Sequence, residues 1–360
     1  MNCQDCFASA NLRNKKYYAW NKPMSRAEYL AEVGKYDLGS YKTYKEVQER
    51  AREFWKTQIP KSEYNEFVSN CTGSNIFHCK NVQEGIEVYE TEDSKYVYRL
   101  WGPANKNCYD VSMWGVNLSD SYECCVVGED ATGMLFCQET GLGCSDVQYS
   151  KTSISSNHNF GCVSVKKSEY TILNKRYTKE KYLELVLKIK KHMNDMPYID
   201  KTGKIYRYGE FLPPDMSPFA YNTTLAQNFF PLTREQVSAQ GYTWRETDPK
   251  DMEFSIRSSD LQDHIKDVGD SVLEERIACA TCGRAYRIIR MELDALKQRN
   301  LPLPRECPMC RINIKLNEWV RDNGRNRRVC TDCGKDIESP YPEREEPKVY
   351  CRECYLAKIQ

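Results

Sequence analysis

Eight cysteines C-terminal to Arg276 form four Cys-x-x-Cys pairs: Cys279 and Cys282, Cys307 and Cys310, Cys330 and Cys333, Cys351 and Cys354. Two intervening residues let a tight turn aim both sulfurs at one ion. A second such pair completes a tetrahedral four-thiolate shell suited to zinc. The spacing therefore predicts two structural zinc ions. A shell closed by four protein ligands has no open position for an activated water or a substrate, so such ions organise the fold and name no reaction.

Other reactive residues form no comparable set. The histidines are His78, His158, His192 and His264, and none lies beside a cysteine pair. A thiol hydrolase would draw on Cys79 or Cys162 with His78 or His158. A carbohydrate enzyme would draw on Asp110, Asp120 and Glu123. With no positioned acid, base and nucleophile, the reading is of a protein that is not an enzyme, and hydrolysis in the β region is the weaker alternative. Cys3 and Cys6 make a fifth Cys-x-x-Cys without a partner pair. They are half of a metal site completed by another chain or by Cys162 or His158, a redox pair, or a terminal rung with accidental spacing, and the last is favoured.

These residues need elements to carry them. Laying Phe7 onward on Phe160 onward aligns 27 residues without a gap and matches Phe7, Tyr17, Asn21, Lys22, Tyr29, Leu30 and Val33 with Phe160, Tyr170, Asn174, Lys175, Tyr182, Leu183 and Val186. The shared unit is a short β element, an Asn-Lys turn and a helix. Ser25 and Glu28 predict a capping box in the first copy, and Thr178 caps the second. There Tyr182, Leu185, Val186, Ile189 and Met193 share one face, while Lys181, Lys188 and Lys191 make a solvated face. Only six residues precede Phe7, which suggests a shortened form of a longer arrangement.

Between the copies, related phrases (NIFHCKN, KNCYDVS, DSYECCV, MLFCQET, CSDVQYS, HNFGCVS) recur every dozen or so residues. That repetition predicts a β-solenoid with Cys, Val, Phe and Tyr pointing inward, and an antiparallel meander is the competing fold. Cys79, Cys108, Cys124, Cys137 and Cys162 read as small buried hydrophobes. The aromatic and Pro-rich stretch from Met196 to Trp244 reads as a connection packed on the second unit, with a binding groove as the alternative. Thr233 and Gln236 form a capping box within it.

The expected class is α+β: a repeat-built, solenoid-like β region with duplicated β-turn-helix units and two small C-terminal zinc modules. The expected boundaries are 1–70 for the first unit, 71–165 for the repeats, and 166–246 for the second unit with its loop. A linker at 247–275 and zinc modules at 276–320 and 321–360 follow. No apolar run approaches eighteen residues and no export pattern opens the chain. With 18 cysteines concentrated in ligand spacings, this predicts a soluble cytoplasmic protein with reduced thiols and no membrane partner.

The motif RIACATCGRAYRIIRMELDALKQRNLPLPRECPMCR resembles small treble-clef-like zinc-binding domains, in which a knuckle, a short β piece, a helix and a CPxCR knuckle follow one another. RRVCTDCGKDIESPYPEREEPKVYCRECY resembles the related short zinc ribbons that end in a Cys-x-x-Cys-Tyr helix start. The remainder, with FGC, NKRYT and PPDMSPFAYN, is similar to uncharacterised zinc-ribbon-bearing proteins of candidate-phyla and metagenomic bacteria. That likeness implies no activity, and Ala8 and Ser9 depart from the Gly-Cys of its FGC.

Charge bears on the partner. From Arg276 to the end the chain has 18 Lys or Arg against 12 Asp or Glu, a surplus of six in a molecule whose total is plus one. Each tetrathiolate zinc centre would contribute about minus two. What survives is local: Arg284, Arg287 and Arg290 after the first knuckle, and Arg321, Arg325, Arg327 and Arg328 between the modules. Arginines on a rigid mount hold phosphates bidentately. The expectation is a non-catalytic scaffold contacting RNA, DNA or a nucleoprotein through its zinc modules. The alternative is a protein–protein scaffold.

Overall fold

A computed structural model describes residues 2–58, 64–342 and 348–359. The chain is α+β and divides into two units, one of Met1–Ser62 with Glu246–Gln360 and the other of Glu63–Arg245. Its helices are α1 (Arg26–Val33), α2 (Tyr41–Lys56), α3 (Lys179–Asp195), α4 (Ala226–Phe229), α5 (Arg234–Ala239), α6 (Arg290–Arg299), α7 (Pro308–Asp322) and α8 (Arg352–Ile359). Among the described residues, no helix is long and apolar enough to cross a membrane.

The unit Glu63–Arg245 is built on a sheet of 14 strands that pair in parallel except at one closing hairpin, so the antiparallel meander is excluded. Its construction follows a three-residue rule. Ile76, Cys79, Val82, Gly85, Val88, Thr91, Ser94, Val97 and Leu100 are all buried. The residue before each, from Asn75 and His78 to Tyr96 and Arg99, has a positive φ. A left-handed residue bends an extended chain sharply, and Asn and Asp tolerate that conformation better than other non-glycine residues. Four triplets amount to the offset of 12 between paired strands, as in Ile76↔Val88 and Lys80↔Glu92. Mid-stack the offset widens to 14 (Thr91↔Asn105) and 13 (Lys106↔Ser119). There Gly115, Gly128 and Gly141 lie in a column, and a Cβ on Gly128 would stand 2.3 Å from the Gly115 carbonyl oxygen.

Small apolar side chains and thiols fill the interior, including Cys79, Cys108, Cys124, Cys137 and Cys162. Each of these thiols donates to the carbonyl two residues back and to one in the next turn, as Cys137 does to Leu135 (3.3 Å) and Val147 (3.2 Å). The aromatic rings correct the sequence expectation. They are too wide for a triplet interior and stack along the outside, Phe77 on Tyr89 at 5.0 Å and Tyr89 on Trp101 at 4.7 Å. A second outer ladder, Phe136, Tyr149 and Phe160, is buried under Tyr182 and Val186 of α3.

The duplication recurs in three dimensions at a constant offset of 153. Strands Gln4–Phe7, Lys16–Ala19 and Lys22–Pro23 repeat as Asn157–Phe160, Glu169–Ile172 and Lys175–Arg176, and in each copy a parallel pair leads through a hairpin to a helix. The ring contact Tyr17–Tyr29 (5.9 Å) has its counterpart in Tyr170–Tyr182 (5.8 Å). Capping boxes form at Ser25/Glu28 and Thr233/Gln236, and Thr178 caps α3. The loop after α3 packs back on the stack: the Gly209 amide donates to the Tyr149 hydroxyl (3.0 Å) and the Phe211 amide to Glu123 (2.7 Å).

Residues 247–275 are not a linker. Strand Ile256–Arg257 pairs with Ile277–Ala278, and Leu261, Ile265, Val268 and Val272 join Ile277, Cys279, Leu293 and Cys307 in one core. Their polar neighbours dominate the composition, while a few apolar residues decide the burial. Parallel pairing also runs past 165 to Ile172 and starts before 71, with Glu66 bridging Phe77.

Candidate metal centres

The two cysteine tetrads are built on one local plan. In the first, a hairpin pairs Ile277–Ala278 with Ala285–Tyr286 and carries the Cys279/Cys282 knuckle. Its turn closes through Gly283, whose φ of +73° suits glycine. In the second, strands Asn326–Val329 and Asp336–Ser339 flank the Cys330/Cys333 knuckle, closed by Gly334 at φ +72°. Each knuckle's first amide bonds five residues on, Cys279 to the Arg284 carbonyl at 2.9 Å and Cys330 to the Lys335 carbonyl at 2.8 Å. The second pair then arrives at a helix start. Cys307 caps α7, its sulfur accepting the Cys310 amide at 3.4 Å, and Cys351 immediately precedes α8.

Each set of four sulfurs lies within 4.8 Å of one another. The contacts Cys282–Cys307 (3.8 Å) and Cys333–Cys351 (3.7 Å) match the edge of a tetrahedron of four thiolates around one ion, about 3.8 Å for zinc–sulfur bonds of about 2.3 Å. Backbone amides already point at the sulfurs, Cys307 N–H to Cys279 and Cys351 N–H to Cys330, both at 3.2 Å. Burial pushes the Cys330 thiol up, but the amides of Cys333, Cys351 and Asp332 outweigh it and hold the group at about 6. Cys279 is held at about 7 by the same balance, with amides of Cys307, Cys282 and Thr281. Cys310, through burial and its thiol neighbours, and Cys354, through hydrogen bonds from Cys351 and Cys333, are pushed up. One sulfur of each tetrad, Cys279 in the first and Cys330 in the second, is thus already biased toward the thiolate that a dication binds. The donor set, spacing and amide support fit a closed structural metal site, consistent with zinc.

The other sequence candidates do not converge on a reactive centre. His78 stacks outside on Phe67 (4.7 Å) and His158 on Tyr170 (4.9 Å), while Cys79 and Cys162 point into the stack. Burial pushes the Cys79 thiol to about 11 and Cys108 to about 12. Asp110, Asp120 and Glu123 occupy left-handed positions, where Asp120 accepts from Asn107 (2.9 Å) and Glu123 holds the loop amide. Cys3 and Cys6 follow the left-handed Asn2 and Asp5, the phase of the triplet rule, and align at offset 153 with Ser156 and Asn159. Their spacing is that of the repeat. Among the described residues, no metal-ligating group of three or more includes them.

The arginines divide. Arg284 donates to the Thr247 hydroxyl (2.9 Å) and Arg290 pairs with Asp270 (2.7 Å). Arg325 pairs with Glu338 (2.5 Å), and Arg328 donates to the Tyr341 and Pro342 carbonyls (3.0 and 3.1 Å). Arg321 is exposed at the end of α7. Arg287 and Arg327 are exposed and make no ion pair among the described residues. Sequence reasoning missed Glu338, whose place opposite Arg327 is set by hairpin register, and Arg305, a buried cation two residues before Cys307. The lysines of α3 are paired along their own helix, Lys181 and Lys188 with Glu184 and Lys191 with Asp195. Compared with protein-family models, curated proteins and solved structures, the chain matches none.

Proposed function

We propose that this protein is a non-catalytic, cytoplasmic zinc-binding scaffold that contacts nucleic acid or a nucleoprotein through its C-terminal modules. In this reading the parallel stack is a β-solenoid, the first tetrad is the centre of a treble-clef-like module, and the second that of a zinc ribbon. The observation that carries it is the pair of closed sulfur tetrads, each at tetrahedral spacing, with an exposed arginine nearby in its module, Arg287 in the first and Arg327 in the second. A side chain held on a metal-braced hairpin loses little further freedom on meeting a phosphate.

The test is binding of generic labelled RNA and DNA to the full chain at two salt concentrations, alongside the Arg287→Glu/Arg327→Glu variant. The reading expects affinity that falls steeply with salt and weakens in the variant. Equal binding by both proteins at low salt contradicts it. A second reading, a protein–protein scaffold, is favoured by Ile289, Met291, Met309 and Ile312, all large apolar side chains left exposed around the first module. Absent nucleic-acid binding turns the search there.

A further inference from the structure

The first tetrad shares its unit with a segment more than two hundred residues earlier in the chain. Residues 37–42, which lead into α2, lie against residues 261–265. Ser40 and His264 form an antiparallel bridge, the Tyr41 amide donates to the Asp263 carbonyl (2.8 Å), and the Ile265 amide donates to that of Gly39 (3.0 Å). The Asp263 carboxylate caps α2, accepting the Ser40 hydroxyl (2.5 Å) and the Lys42 amide (2.9 Å). Asp37 receives His264 Nε2 (3.0 Å) and the amide of Asn300, the C-cap of α6 (3.3 Å). The approach is close enough that a Cβ on Gly39 would stand 2.4 Å from Asn300 Oδ1.

The receiving segment is itself held from the tetrad. Arg305 is buried, 6 % exposed, and its guanidinium donates to the Leu261 and Gln262 carbonyls (3.0 and 2.9 Å) while lying 4.7 Å over the Tyr41 ring. Its own carbonyl accepts the Ala280 amide inside the first knuckle (2.9 Å), and Cys307 follows two residues later. Leu261 and Ile265 belong to the same core as Cys279 and Cys307. Without an ion, this core and a few hydrogen bonds, such as the Ala280 amide to Arg305 and the Cys307 amide to the Cys279 sulfur, are what join the two knuckles, and small metal sites of this kind fold with their metal.

We infer that metal occupancy of the Cys279/Cys282/Cys307/Cys310 tetrad controls the docking of the N-terminal segment that carries α2, with Arg305 and Asp263 as the positioning residues that transmit it. The inference rests on the zinc reading of that tetrad and goes beyond it by assigning the ion a second role, a switch between an anchored and a released N-terminal segment. Linkage makes the coupling reciprocal: the factor by which bound metal strengthens docking is the factor by which docking strengthens metal binding at this tetrad, so a chain that cannot dock must hold this metal more weakly.

The test is hydrogen exchange on the full metal-loaded chain across a chelator series, with bound metal counted in each sample. Three regions are followed: α2, α6 for the first tetrad, and α8 for the second. The expected result is that α2 loses protection with α6, whether or not α8 follows. In Asp263→Ala, and separately in Gly39→Val, α2 should be unprotected with metal still bound, and the chelator midpoint of α6 should fall about fivefold or more while that of α8 stays in place. Protection of α2 that survives loss of metal and of α6 overturns the inference and leaves the zinc reading standing. So does an unshifted α6 midpoint in both variants. A chain that holds no metal overturns both.

Discussion

Cys307 performs two tasks that can be separated. Its sulfur stands 3.8 Å from Cys282 in the tetrad and also accepts the Cys310 amide as the N-cap of α7. Serine is a good N-cap but a poor zinc ligand. Cys307→Ser should therefore keep the cap and lose the ion, halving the metal content while leaving the second tetrad loaded; metal analysis of purified protein reads this directly. Protons compete with metal at every thiol. Cys330 is held below its ordinary value of 9.0, so the stabilisation its ionised form gives is complete above that value and is lost as pH falls through about 6. Metal binding should follow the same direction, and a cobalt-substituted chain should lose its sulfur-to-metal absorption band between pH 7 and pH 5. The interior thiols behave oppositely. With Cys79 pushed up to about 11 and Cys108 to about 12, both stay protonated and shielded at neutral pH. Mass spectrometry after brief alkylation of the native protein should find them unlabelled.

At the scale of the element, the triplet rule makes the sharpest demands. Asn81 has a φ of +55°, and its amide reaches the Asp93 carboxylate at 2.9 Å in the next turn. Asn81→Val should cost about 1–3 kcal/mol, since a β-branched residue is strained there, and Asn81→Gly should cost less. Gly128→Ala places a methyl 2.3 Å from a backbone oxygen that cannot move aside, and about 2–4 kcal/mol is expected. Denaturant titration of the full chain measures both. These positions also show what the sequence made legible. The dozen-residue phrases were readable because each turn reuses the same chemistry, and the capping boxes were readable because Ser25/Glu28 and Thr233/Gln236 are local signals. The period of three was hidden because its inward set mixes Ile, Cys, Gly, Thr and Ser, so hydrophobicity alone marks fewer than all of its turns. The better signal was the position before, where Asn, Asp, Glu and His cluster at left-handed corners. The aromatic rings misled for a related reason: apolar character suggested the interior, and size sent them outside.

At the scale of the whole molecule, the grouping of eight cysteines into two tetrads that could each hold a metal ion was legible because a tetrathiolate shell needs only two short spacings. Their surroundings were not. That residues 247–275 belong to the core of the first module depends on Leu261, Ile265, Val268 and Val272 finding partners in the later chain. That Met1–Ser62 belongs to the same unit as the tail depends on contacts such as Asp37 with His264, which no local pattern announces. The arginine surface was half legible: its positive charge is plain in the sequence, but Glu338 and Asp270, which neutralise Arg325 and Arg290, come close only through hairpin pairing and folding of the supposed linker. The proposed function requires that the two closed tetrads each hold an ion. Native mass spectrometry of the full chain purified with zinc present reads this: two zinc ions per chain, both removable by acid, are expected, and a chain that carries none, or that carries two when Cys307 and Cys351 are both replaced by serine, rules it out.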